Sequence, residues 1–98
     1  MEIKRNEVNG VLELGLVGRL DTSTAPELAA VVDEIASDVK NLVIDLGELE
    51  YISSAGLRVI LTAQKKMNKQ GEMLVKNANE VIMEIFEITG FVDILNIE

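Results

Sequence analysis

Residues 43–61, VIDLGELEYISSAGLRVIL, constrain the fold more than any other segment of the chain. The apolar run 42–46 is typical of a strand buried on both faces of a sheet. A turn with two serines, Ser53 and Ser54, follows, and an amphipathic helix comes after it. Free backbone N–H groups and the helix dipole favour negative charge at such a helix start. A phosphate there would be stabilised and would add about −1.5 to −2 charges, so the segment resembles a switch more than a catalytic pocket.

Hydropathy patterns predict elements in the order β-β-α-β-α-β-α-β. The predicted strands are 2–8, 11–18, 42–46, 72–76 and 93–97, and the predicted helices begin near Thr24, Ala55 and Asn79. Asn9-Gly10 predicts a two-residue hairpin turn. Thr24 is expected to cap the first helix in a capping box with Glu27. This order predicts one α/β domain over residues 1–98: a mixed, mostly parallel sheet of four or five strands with three or more helices packed against it.

In open sheets of this type, functional residues gather where strands lead into helices. Two loops are expected at that edge: the Asp21 loop after the second strand and the Ser53–Ser54 loop after the third.

Composition excludes several classes of function. The 98 residues include no cysteine and no histidine, which removes thiol and imidazole catalysis and most transition-metal sites. The net charge of −8 disfavours nucleic acid and anionic membranes as partners. No apolar run approaches a membrane span, and no signal region is present. We therefore expect a cytoplasmic protein without nucleic-acid binding or membrane insertion, complete as given and monomeric when free.

Two motifs carry a family resemblance. The first is G-x-L-D at Gly18–Asp21, and the second is D-L-x-x-[apolar]-x-[FY]-[IM]-x-S-x-G-L at Asp45–Leu57. With this spacing, element order and length, the whole chain resembles the STAS domain in its single-domain form, the anti-sigma factor antagonist.

The resemblance implies that Ser54 is the phosphoacceptor, with Ser53 as a minor alternative, and that Asp21 lies on the same rim. Where sporulation-type members often have Asp-Ser-Ser-Gly, this chain has Ser53-Ser54-Ala55-Gly56. The implied partner-binding residues are Asp21, Thr22, Ser53, Ser54, Ala55, Gly56 and Leu57.

The function implied by the resemblance is partner switching. The unphosphorylated form would bind an anti-sigma factor, a serine kinase that brings its own ATP and Mg²⁺, and would thereby release a sigma factor. A PP2C-type phosphatase would reverse the modification. The chain itself would be neither an enzyme nor a cofactor-binding protein. An alternative keeps the fold but makes the chain a structural subunit of a stress-signalling assembly or a lipid-transport complex.

Several residues have simpler interpretations that stay open. Ser54 could be only a helix N-cap. Gly56 could ease a turn or let a kinase approach the backbone. Asp21 and Asp45 could be turn residues, and Leu57 could belong to the core or to a partner contact. The acidic residues Glu80, Glu84 and Glu87 are typical of a solvated helix face.

Overall fold

A computed structural model describes all residues, 1–98, as one sheet covered by helices. Its elements in chain order are β1 (Glu2–Val8), β2 (Val11–Leu20), α1 (Ala25–Asp33), β3 (Asn41–Ile52), α2 (Ser54–Asn68), β4 (Glu72–Lys76), α3 (Glu80–Thr89) and a short 3₁₀ helix (Phe91–Asp93). The predicted class, a mixed and mostly parallel sheet with three helices, is confirmed.

The four strands lie in the order β1-β2-β3-β4. β1 is antiparallel to β2, and the turn between them has φ values of 52° at Asn9 and 79° at Gly10, as a tight hairpin turn requires. β2 pairs with β3, and β3 with β4, in parallel, so helices must connect these strands. The strand ends that precede α1 and α2 therefore lie at the same edge of the sheet.

Alternation along the strands places the core on one face of the sheet. Leu12, Leu14 and Leu16, at alternate positions of β2, are fully buried. The core cluster has 23 residues with Phe86 as its only aromatic member, so aliphatic packing holds the helices on the sheet. Lys66 also ties α2 to α1, because its Nζ donates to the carbonyl of Val32 over 2.8 Å.

The predictions for the third strand and for the last strand are wrong. β3 continues six residues beyond the predicted run 42–46, because the segment after Leu46 pairs with the end of β2 from Val17–Glu48 to Leu20–Ile52. The predicted strand 93–97 is absent. Gly90, with φ of 80°, turns the chain into the 3₁₀ helix, and only the single bridge between Ile97 and Val75 continues the sheet.

α3 begins where the sequence predicts, after Asn79. Asn79 caps α3 by accepting from the N–H of Ile82 over 2.8 Å, and Gly90 ends that helix. None of the helices combines the length and apolar character needed to cross a membrane.

Candidate functional site

The two predicted loops meet at one edge of the sheet. Leu20 at the end of β2 pairs with Ile52 at the end of β3. The N–H of Ser53 donates to the carbonyl of Leu20 over 2.9 Å, immediately before Asp21. The two loops are thus fixed to each other through the backbone and form a shared rim.

Ser53, not Ser54, caps α2. Its hydroxyl accepts from the N–H of Gly56 over 3.3 Å, and its extended backbone is that of an N-cap. Its carbonyl also accepts the first helical bond, from the N–H of Leu57 at 2.9 Å. The cap interpretation of Ser54 is therefore wrong, because Ser53 occupies the N-cap position.

Ser54 is the first residue inside α2 and is exposed to solvent. Its hydroxyl makes no hydrogen bond within the protein, because the neighbouring serine already supplies the cap. This leaves a free hydroxyl beside the unpaired N–H groups of the first helical turn. A phosphate on Ser54 would meet a favourable local potential without breaking any existing side-chain contact.

Asp21 organises the loop after β2. Its Oδ1 accepts from the hydroxyl of Ser23 at 2.8 Å, from the N–H of Ser23 at 3.0 Å and from the N–H of Thr24 at 3.1 Å. These bonds lower the pKa of Asp21, the Ser23 hydroxyl contributing most, since they favour the charged carboxylate. Asp21 thus takes the turn role while its carboxylate remains at the surface.

The predicted capping box at Thr24 is wrong. Thr24 occupies the N-cap position of α1, but its hydroxyl makes no bond to a helical N–H. It accepts from the N–H of Asp21 and donates to the carbonyl of Arg19, each over 2.8 Å. The Thr24 hydroxyl, which the capping box requires, is therefore already hydrogen-bonded to the loop that precedes the helix.

Gly56 and Leu57 lie beneath the rim. A Cβ on Gly56 would come within 2.7 Å of the Leu20 Cγ and 3.0 Å of the Ile52 Cγ1, so glycine is needed for close helix–sheet packing. The structure thus gives Gly56 a packing role that neither sequence interpretation had included. Leu57 is only 6% exposed and belongs to the core.

The remaining predicted residues lie on the rim or next to it. Thr22 and Ser54 are exposed, whereas Asp21, Ser53 and Ala55 are partly buried. The rim therefore offers a hydroxyl, a carboxylate and backbone groups to a partner.

Two basic residues near the rim were missed by the sequence reasoning. The Arg19 guanidinium lies 4.8 Å from the centre of the Tyr51 ring, a cation–π contact at the ends of β2 and β3. This pairing was hidden because β3 was predicted to end at residue 46. Arg58, four residues after Ser54 on α2, is exposed and forms no ion pair. Its spacing from Ser54 was the signal available in the sequence.

The rim has no cavity for a small substrate. The larger cavity, about 460 Å³, surrounds Gly15 on the sheet, and neither cavity is lined by Asp21, Ser53 or Ser54. No group of three or more carboxylates is arranged to hold a metal ion.

Asp45, a second carboxylate in the motif region, lies within β3 and not in a turn, next to a shift in the register of pairing with β2. Its Oδ1 accepts from the N–H of Gly47 at 2.9 Å and from the Asn77 side chain at 3.1 Å. The Gly47 bond is the main cause of its lowered pKa.

The chain is similar in sequence to known proteins over nearly its whole length. The STAS domain family model matches residues 2–98. A Bordetella bronchiseptica protein, provisionally named anti-sigma factor antagonist BtrV, is 37% identical over 96% of this chain and 83% of its own. The anti-sigma-B factor antagonist of Bacillus subtilis is 32% identical over 99% of this chain and 88% of its own. The chain belongs to the STAS domain family.

Solved structures agree on the fold. SpoIIAA, an anti-sigma factor antagonist, has been solved unphosphorylated and phosphorylated, each with a TM-score of 0.77 and 15% identity to this chain. Both matches cover 99% of this chain, and they cover 87% and 91% of the SpoIIAA chains. At this identity the likeness concerns the arrangement of strands and helices.

Proposed function

We propose that the protein is a cytoplasmic anti-sigma factor antagonist, controlled by phosphorylation of Ser54. The relatives at 37% and 32% identity carry that functional name over nearly the full chain, which supports this interpretation over a structural subunit of a larger complex. The observation that carries the proposal is that the two serines have different roles. Ser53 is occupied as the helix cap, whereas the Ser54 hydroxyl is exposed and unbonded.

The unphosphorylated rim binds an anti-sigma factor with serine kinase activity. Thr22 and Ser54 are exposed there, and Asp21 adds a carboxylate held in place by Ser23 and Thr24. The kinase supplies ATP and Mg²⁺, so this chain needs no cofactor and performs no catalysis of its own. Binding the kinase releases the sigma factor that it had sequestered.

Phosphorylation opposes this complex by charge. The added group brings about −1.5 to −2 charges to an interface that forms only when Ser54 is desolvated. The protein already has a net charge of −8, so its field adds to the repulsion from an acidic group on the partner. α2 already begins at Ser54, so the switch needs no refolding of the domain. A PP2C-type phosphatase resets the rim.

The test compares variants for binding to the partner kinase. Ser54→Ala should bind whether or not ATP is present, and Ser54→Asp should bind at least tenfold more weakly. Ser53→Ala is the matched control, because it removes a neighbouring hydroxyl while leaving Ser54 available. Mass mapping after incubation with kinase and ATP should place the phosphate on Ser54. Equal affinity of Ser54→Ala and Ser54→Asp, or a phosphate found on Ser53 alone, would sink the proposal.

A further inference from the structure

Exposed aliphatic side chains are concentrated near the C-terminal end of the chain. Of the six large hydrophobic residues that are exposed, four lie between residues 81 and 94: Val81 at 52%, Ile88 at 77%, Val92 at 37% and Ile94 at 46%. The other two, Val8 and Val11, flank the hairpin turn between β1 and β2. Isolated exposed residues are ordinary, but a group on one segment indicates a contact surface.

Two of these residues, Val81 and Ile88, form a stripe along α3 together with Ile85, which is partly buried and also packs against the core. Val81, Ile85 and Ile88 follow i, i+4, i+7 spacing, so they lie on one side of the helix. We call these three residues the α3 stripe. Ile82 and Phe86, on the adjoining side, are fully buried and fix α3 on the sheet. The stripe is therefore presented by a helix that is already folded and anchored.

The last 22 residues of the chain, which include α3, carry charge of one sign. Residues 77–98 hold five acidic residues and no Lys or Arg, which accounts for five of the net −8 charges. All five, Glu80, Glu84, Glu87, Asp93 and Glu98, are exposed, and none forms an ion pair. An occupant of the stripe must therefore approach through a negative potential.

This potential separates the candidate occupants. A second copy of the chain would bring its own Glu80, Glu84 and Glu87 against the first set, and like charges at close range disfavour such a dimer. An anionic membrane surface is repelled for the same reason. A protein segment with aliphatic residues between Lys or Arg side chains satisfies both the apolar stripe and its acidic surroundings.

We propose that the α3 stripe docks an amphipathic helix of another protein, whose apolar face is flanked by Lys and Arg. A stripe one residue wide on a ten-residue helix matches the contact that a single packed helix makes. The surface is separate from the serine rim, since Ser54 lies on α2 whereas α3 packs on β3 and the 3₁₀ helix. It does not rest on the proposed function and is expected to bind irrespective of phosphorylation at Ser54.

The probe is a synthetic 18-residue helical peptide with a leucine stripe flanked by lysines and arginines. Its matched control carries glutamate at every basic position. With ¹⁵N-labelled full-length protein, the basic peptide should shift the amide signals of Val81, Ile85 and Ile88 and bind more weakly as salt increases. Ile88→Glu should lower the affinity at least tenfold, about 1.4 kcal/mol. The exposed control Val8→Glu adds the same charge outside the stripe and should bind like the unmodified protein, as should Ser54→Asp.

Four outcomes would overturn the inference. The shifts could map to the open face of the sheet, or the acidic peptide could bind as well as the basic one. Sedimentation could show a dimer that Ile88→Glu dissolves, which would make a second copy the occupant. Flotation with phosphatidylserine-containing vesicles could depend on Ile88, which would make the occupant a membrane. None of these results bears on kinase binding at Ser54, so the two proposals fail separately.

Discussion

At the scale of single residues, Gly56 decides how closely α2 approaches the sheet. An alanine in a helix is normally favoured over glycine by about 1 kcal/mol. Here the new methyl would lie 2.7 Å from the Leu20 Cγ, and overpacking of this kind costs about 1–3 kcal/mol. We expect Gly56→Ala to reduce the free energy of unfolding, a reversal of the usual sign, as measured by urea denaturation.

A matched glycine isolates the steric cause. A Cβ on Gly15 would find its nearest neighbour, the Lys4 Cβ, at 3.6 Å, an ordinary contact. Gly15→Ala should therefore change stability little. If Gly56→Ala proved neutral or stabilising, the close packing of α2 on Leu20 would be refuted.

Asp45 should make part of the free energy of unfolding depend on pH. Its pKa is lowered from the ordinary 3.8, chiefly by the N–H of Gly47, so the folded state favours the charged carboxylate. This stabilisation is present above pH 3.8 and is lost as the pH falls through the lowered pKa of the folded protein.

The measurement is urea denaturation at pH 6 and at stepwise lower pH. The unmodified protein should lose stability below about pH 4. Asp45→Asn should start less stable and lose less on acidification, because it cannot titrate. The same acid dependence in both proteins would show that Asp45 is not responsible.

At the scale of elements, the two serines at the start of α2 should differ in their contribution to stability. Ser53 supplies the cap through the N–H of Gly56, and removal of an N-cap hydroxyl costs about 1 kcal/mol. Ser54 makes no side-chain hydrogen bond. We expect Ser53→Ala to lower the free energy of unfolding by about 1 kcal/mol and Ser54→Ala to change it by less than about half of that. Equal losses in the two variants would contradict the assigned cap.

Arg58 should act on a phosphate at Ser54. The pair has i, i+4 spacing with the acidic group nearer the helix start, the favourable orientation, and Arg58 has no competing ion pair. Such contacts are worth roughly 0.2–0.5 kcal/mol in exposed helices, so they should lower the second pKa of the phosphate by a few tenths. ³¹P NMR titration of the phosphorylated protein measures this pKa.

Two variants separate the charge at that position from the shape of the side chain, since Gln removes the charge and Lys keeps it. Arg58→Gln should raise the phosphate pKa, and Arg58→Lys should restore most of the lowering. If the phosphate pKa is the same with Arg, Gln or Lys at position 58, Arg58 does not reach the phosphate on Ser54.

The element boundaries show where sequence reasoning succeeds. β1 and β4 agree with the predicted ranges, and Asn79 and Gly90 bound α3, because these signals act over two to four residues. The end of β3 could not be read locally. Gly47-Glu48-Leu49-Glu50 has the composition of a loop, and only pairing with the end of β2 keeps it extended.

The candidate site was also only partly predictable, because some of its contacts join residues that are far apart in the sequence. Motif spacing placed Asp21 and the two serines at one edge of the sheet. It did not show which serine caps α2, since both are suitable cap residues and only the backbone angles select Ser53. The packing role of Gly56 depends on Leu20 from another strand, a contact with no local signature.

At the scale of the whole molecule, the charge balance predicts a sign for the effect of salt. The chain has 17 acidic and nine basic residues, so unpaired negative charge exceeds the three ion pairs in the structure. Exposed ion pairs contribute about 0–1 kcal/mol each, and screening them costs little. Screening the repulsion among the acidic residues should raise the stability by more than screening the ion pairs lowers it.

We therefore expect the midpoint of thermal unfolding to rise between 10 and 200 mM NaCl, a range over which the Debye length falls from about 30 Å to below 10 Å. The double variant Glu84→Gln, Glu87→Gln removes two of the five acidic charges in the last 22 residues and leaves Glu80, which stabilises the start of α3, in place. It should be more stable than the unmodified protein at low salt and gain less from added salt. A midpoint that falls as salt is added would mean that the ion pairs outweigh the repulsion, and that the acidic surface of α3 is not under electrostatic strain.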